Sequence, residues 1–307
     1  MPFTVIKGTF RLLSKTSTGK PTGFEPDGDS MQFKPDKPKL LDKLQKLASP
    51  YRLTSIGSTQ LRFEGIDALE LHFTAGKAGV THQPRPLADD ARDELVKHLG
   101  LAPVSYKPPQ KIRVLPPAIH DGMRGWILSR SLEVHGRPVS FVFGGDAAEK
   151  DGSSVMLDTA LLKNSANYQM LSSGQAYPLF YDSLFADLRN ALAQASASAK
   201  AAHAGLWGQD LTSMGLTTSS IKSLQAKGVV FPKLFRRLAE YFGSGHQSLS
   251  GFKAWLAAKQ ERVLDLDTTN STHFDTYVDV GGSKVSLNKS PDRLVFTSAT
   301  SKSAPWV

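Results

Sequence analysis

The chain has 307 residues, 40% of them hydrophobic and 21% charged, a globular composition with enough length for two domains. It contains no cysteine, which excludes disulfides, thiolate metal sites and cysteine nucleophiles. The formal net charge of +9 favours polyanionic partners such as nucleic acid.

Taken in order, residues 4–13 alternate in apolar character and predict a first strand. This start lacks the apolar core of a signal peptide, and no run of about 18 apolar residues follows, so a cytoplasmic, non-membrane protein is expected. Residues 14–30 have the Gly, Pro, Ser, Thr and Lys content of a loop. A short helix is expected over Lys39–Leu47 and a strand over Gln60–Ile66. Leu87–Gly100 has an acidic first part, a basic last part and a closing glycine, which predicts a helix. Strands are expected at Lys111–Leu115, Trp126–Val134 and Pro138–Phe143, the last two joined as a hairpin at Gly136. A helix is expected at Ser153–Asn164 and a long alanine-rich one at Tyr181–Ala204, closed by Gly205-Leu206-Trp207. Residues 211–220 have linker composition, and a basic helix is expected around Phe235-Arg236-Arg237-Leu238. Gly251–Leu264 reads as a further helix, and Phe274–Phe296 as a terminal hairpin turning at Gly281-Gly282.

Three charged segments stand out. Asp27-Gly28-Asp29-Ser30 is a turn before a short strand. Arg62, Asp67 and Glu70 are spaced five and three apart around Gly65, at the end of a strand. Arg124 lies at the entrance to the apolar segment that begins Gly125-Trp126-Ile127-Leu128. In this order they resemble the staphylococcal nuclease-like (thermonuclease) family, with its D-G-D-[TS] turn, its R-x-x-x-x-D-x-x-E segment and its later arginine before a hydrophobic strand. The resemblance covers about residues 4–207, and a helix ending in Gly-Leu-Trp is a further shared feature.

The resemblance implies an α+β fold: a five-stranded OB-type β-barrel with packed helices in a nuclease domain over 1–208, then a smaller C-terminal α+β region over 209–307. It implies a calcium-dependent nuclease, an endonuclease, that hydrolyses phosphodiester bonds of DNA, RNA or both. Asp29 and Asp67 would be the metal ligands, with the backbone carbonyl of Ala68 as a third, because a hard cation takes oxygen donors. Arg62 and Arg124 would clamp the phosphate, since a guanidinium matches phosphate oxygens with two parallel hydrogen bonds. Glu70 would position or deprotonate the attacking water. Tyr177 and Tyr181 stand where the family places aromatics near the base, which would stack on them. One position departs from the family: Leu69 replaces the usual proline, and the turn presenting Glu70 should be looser for it. The alternative reading is a catalytically silent OB-fold module that binds nucleic acid or a protein partner.

Overall fold

A computed structural model describes residues 2–16, 18–46, 49–107, 114 and 120–298. The chain is α+β, with a closed five-stranded barrel and several helices. It forms two compact units, residues 1–64 with 92–170, and residues 65–91 with 171–307. The boundary expected after residue 208 is therefore not where the units part. Residues 65–91 and 171–208 share a core with the C-terminal region, because Leu69, Tyr177 and Trp207 are buried in one cluster with Phe231, Phe235 and Phe274.

The barrel fills the first unit. Its strands are β1 (Phe3–Arg11), β2 (Ser30–Pro35), β3 (Thr59–Phe63), β4 (Arg124–Leu132) and β5 (Pro138–Gly144). Their order around the barrel is β1-β2-β3-β5-β4, and β4 pairs with β1 to close it. All neighbours are antiparallel except β3 and β5, which run parallel, an arrangement consistent with an OB-type barrel. Period-two alternation puts Phe10, Phe33 and Phe63 inside, fully buried. Lys7, Thr9 and Arg11 face outward from β1 and are half-buried. Buried Asn167 ties the wall together: its side-chain amide donates to the carbonyls of Glu64 and Ser140, and its oxygen accepts from Val142 N.

Several expected elements come out differently. Only Val114 of the strand expected at Lys111–Leu115 is among the described residues, and it makes an isolated bridge to Tyr106. Lys39–Leu47 does not form an α-helix. A 3-10 turn spans Pro38–Lys43, and Gln45–Lys46 then pairs with β4. The helix expected at Ser153–Asn164 shrinks to α2 (Thr159–Leu162), because Ser154–Val155 is taken as an edge strand on β1 and Asp158 caps the helix by accepting from Leu161 N. The helix Arg85–His98 (α1) forms where expected, and Ala166–Ser172 makes a further short helix, α3.

In the second unit the long helix is α4 (Ala186–Ala201), which starts later than expected because Phe180–Tyr181 pairs with the strand Leu294–Phe296. α5 (Ile221–Lys227), α6 (Pro232–Gly243) and α7 (Phe252–Ala257) follow. After α7, Arg262–Asp265 is a strand rather than a continued helix. The hairpin Val278–Gly281 with Lys284–Leu287 forms, and it turns through Gly282-Ser283, one residue beyond the expected Gly281-Gly282. Residues 211–220 are not a linker: Leu216–Thr217 joins that hairpin, and buried Thr212 accepts from Phe231 N. Among the described residues no helix is long and apolar enough to cross a membrane.

Candidate functional site

In the first unit the register of β2 against β3 sets Ser30 opposite Arg62, and Phe63 N donates to the carbonyl of Asp29 at 3.1 Å. Two motif pieces more than thirty positions apart in sequence thus become neighbours. The turn itself is closed by Asp27 N donating to Ser30 Oγ at 3.3 Å. Arg62 and Asp29 are both half-buried.

Arg124 opens β4, opposite Thr9 of β1, and Thr9 is in turn opposite Lys34 of β2. Arg124 therefore stands four residues along β2 from the Ser30–Arg62 row, roughly 13 Å at strand rise. Its fork is occupied: Nη1 and Nη2 donate to the two oxygens of Asp36 at 3.0 Å each, and Nε to Asp146 at 3.2 Å. The Arg124 side chain keeps 41% exposure and Asp36 43%, so these are solvent-facing pairs. Pairs of that kind contribute little, about 0–1 kcal/mol, and a phosphate can displace them.

In the second unit Gly65 starts the turn that leads to Asp67. Its φ of +78° suits glycine, and a Cβ there would meet Leu192 at 2.6 Å. Strand Ile66–Ala68 then pairs with Ala176–Pro178, which places Asp67 opposite Tyr177 and Ala68 opposite Ala176. Asp67 has 0% exposure. A buried carboxylate needs partners, and its two oxygens accept from Nη1 and Nη2 of Arg236 at 3.0 and 2.9 Å. The same Nη1 donates to Glu70. Burial works against the charge on Arg236, but Asp67 and Glu70 overcome it and raise its pKa well above an arginine's ordinary value.

The turn carrying Glu70 is fixed without a proline. Leu69 is a fully buried core residue. Buried Gln83 holds Glu70 from both sides, its Oε1 accepting from Glu70 N at 3.1 Å and its own N donating to Glu70 O at 2.8 Å. The looseness expected from the missing proline is replaced by this clamp.

Tyr177 is not available to a base. Its ring is fully buried, 4.8 Å from Trp207 and 6.0 Å from Phe231, and its hydroxyl donates to Asp210 at 2.7 Å. Burial and Asp210 together raise its pKa well above the ordinary value. Its place on a strand facing the second unit's core explains the correction. Tyr181 is half-buried, 6.3 Å from Phe296 and 5.6 Å from the Lys233 ammonium.

The fold thus brings Asp29 to Arg62 and Asp67 to Glu70, and ties up Arg124 and Tyr177. Arg236 and Gln83 are the residues that sequence reasoning missed. The only signal for Arg236 was its place in a basic helix. A calcium ion needs free oxygens at about 2.3–2.6 Å, and both oxygens of Asp67 are engaged by a guanidinium, so Asp67 as folded does not fit that ion. No family model and no curated protein matches this chain.

Proposed function

We propose that this chain is a staphylococcal nuclease-like phosphodiester hydrolase acting on DNA or RNA. The observation that carries the reading is the β2–β3 register, which sets Arg62 beside the Asp29 turn. The basic net charge of +9 suits a polyanionic substrate. In this reading Arg62 and Arg124 bind phosphoryl oxygens on the outer face of the barrel, where negative charge grows as water attacks phosphorus. The water's oxygen forms the new bond to phosphorus and the bond to the leaving oxygen breaks as a general base takes the water's proton, the role that the family resemblance implies for Glu70. Calcium is the cofactor that the family resemblance implies, and no step is assigned to it because Asp67 is already paired.

The alternative reading is a silent OB-fold module that binds nucleic acid without cutting it. The burial of Asp67 under Arg236 favours it. Incubation with plasmid, linear duplex, single-stranded DNA and RNA, each with calcium or with chelator, separates the two. Cleavage of any of them supports the hydrolase, and retention without cleavage supports the module.

For the hydrolase, Arg62→Lys is expected to lower turnover at saturating substrate by roughly a hundredfold or more, as loss of a transition-state donor does. Lysine keeps the charge but cannot reproduce the two-pronged contact. Single-turnover cleavage alongside a binding titration checks this. Normal turnover, or a loss confined to binding, would remove Arg62 from the chemistry.

A further inference from the structure

Arg236 reaches Asp67 and Glu70 from 169 and 166 positions away in the chain. Its seat is built from several sides. The side-chain nitrogen of Gln83, the residue that clamps Glu70, donates to the carbonyls of Gly228 and Val230 at 2.7 and 2.8 Å, just ahead of α6. Thr212 accepts from Phe231 N, and Pro232 then opens the helix, where its missing N–H costs nothing. At the other end Gly243 lies so close to the loop before α1 that an added Cβ would fall 2.1 Å from Ala75 O. The remaining cations of α6 are committed elsewhere: Lys233 and Arg237 both pair with Glu261, at 2.5 and 3.0 Å. Arg236 is therefore placed by a helix anchored at both ends and along its charged face, not by a loose surface side chain.

The two nitrogens that sit on Asp67 occupy the directions from which a metal would coordinate. An ion chelated by both of those oxygens and a guanidinium that spans them at 2.9–3.0 Å claim the same edge of the carboxylate. The single positive charge of Arg236 also answers the two negative charges that would otherwise attract the ion. We propose that Arg236 is the resident cation of the Asp67–Glu70 pair, a permanent guanidinium in the place of a divalent ion, so that this chain takes no calcium at Asp67. The inference draws on the hydrolase reading only for the role of the acid pair. An arginine remains charged at any working pH, so neither base nor chelator empties the seat.

The test is calorimetric titration of calcium into the full chain, as wild type and as Arg236→Gln. The wild type is expected to show no binding that Glu70→Gln removes, and no rise in melting temperature in millimolar calcium. Arg236→Gln leaves Asp67 and Glu70 without their cation and is expected to bind calcium at least tenfold more tightly than the wild type. If Arg236→Gln is unfolded on its own, calcium is expected to restore its folded circular dichroism signal. Calcium binding by the wild type that disappears in Glu70→Gln would overturn the proposal. So would an Arg236→Gln chain that calcium neither binds nor refolds. These readouts do not use cleavage, so a chain that cuts no substrate would defeat the hydrolase reading and leave this one standing.

Discussion

Asp67→Ala is expected to lower unfolding stability by about 3–5 kcal/mol, the usual cost of removing one partner from a buried ion pair. Asp67 is fully buried and the Arg236 side chain is only 18% exposed. With Asp67 gone, the guanidinium keeps Glu70 but loses two of its three hydrogen bonds in a place that water barely reaches. The penalty is mostly that stranded charge rather than the net strength of the pair. A second variant separates these terms. Asp67→Leu with Arg236→Met and Glu70→Gln removes every charge of the cluster and is expected to recover most of the loss. Chemical denaturation of Asp67→Ala and of the combined variant makes the comparison. A cost below about 1 kcal/mol for Asp67→Ala would place the pair in the range of exposed salt bridges and contradict the burial described here.

What could be read from the sequence follows from the range of the forces involved. The barrel strands announced themselves because an inside-outside wall forces period-two alternation, and Phe10, Phe33 and Phe63 fall on it. The hairpin of Val278–Gly281 with Lys284–Leu287 and the helix over Arg85–His98 were legible for the same local reasons. The Val155–Leu162 stretch has apolar spacing suited to a helix, yet Ser154 and Val155 lie beside β1 and complete its edge. Their partners are some 150 residues away in sequence, so no local pattern could reveal the competition. The Ser/Thr content of 211–220 looks like a linker, although Asp210 and Thr212 are buried hydrogen-bonding residues of the core. The motif acids were visible, but their state was not. Arg236 and Arg237 are adjacent and alike in sequence, and helix geometry turns them about 100° apart. One meets Asp67 and Glu70 and the other meets Glu240 and Glu261, a division made only by tertiary structure.

The acid response of the chain is expected to carry the mark of Glu261. Burial would push its pKa up, but Lys233 and Arg237 outweigh burial and bring it from 4.5 down to about 2. Lys233 is itself 7% exposed and has aromatic neighbours, with its ammonium 4.2 Å from the Phe296 ring, so Glu261 is its charge partner within the core. A carboxylate whose folded pKa lies below its unfolded one stabilises the fold above the unfolded pKa, and that contribution disappears as pH falls through the folded pKa. Here the window runs from about 4.5 down to about 2, and the shift corresponds to on the order of 3 kcal/mol. Glu261→Gln resembles the protonated residue at every pH. At neutral pH it is expected to be less stable than the wild type by on the order of 3 kcal/mol, the same linkage contribution. The two stability curves should converge as the wild type is acidified across that window. Urea unfolding of both proteins at a series of pH values measures the difference directly. Curves that stay parallel from neutral pH to pH of about 2 would mean that Glu261 titrates alike in folded and unfolded chains, and that Lys233 and Arg237 do not hold it as described.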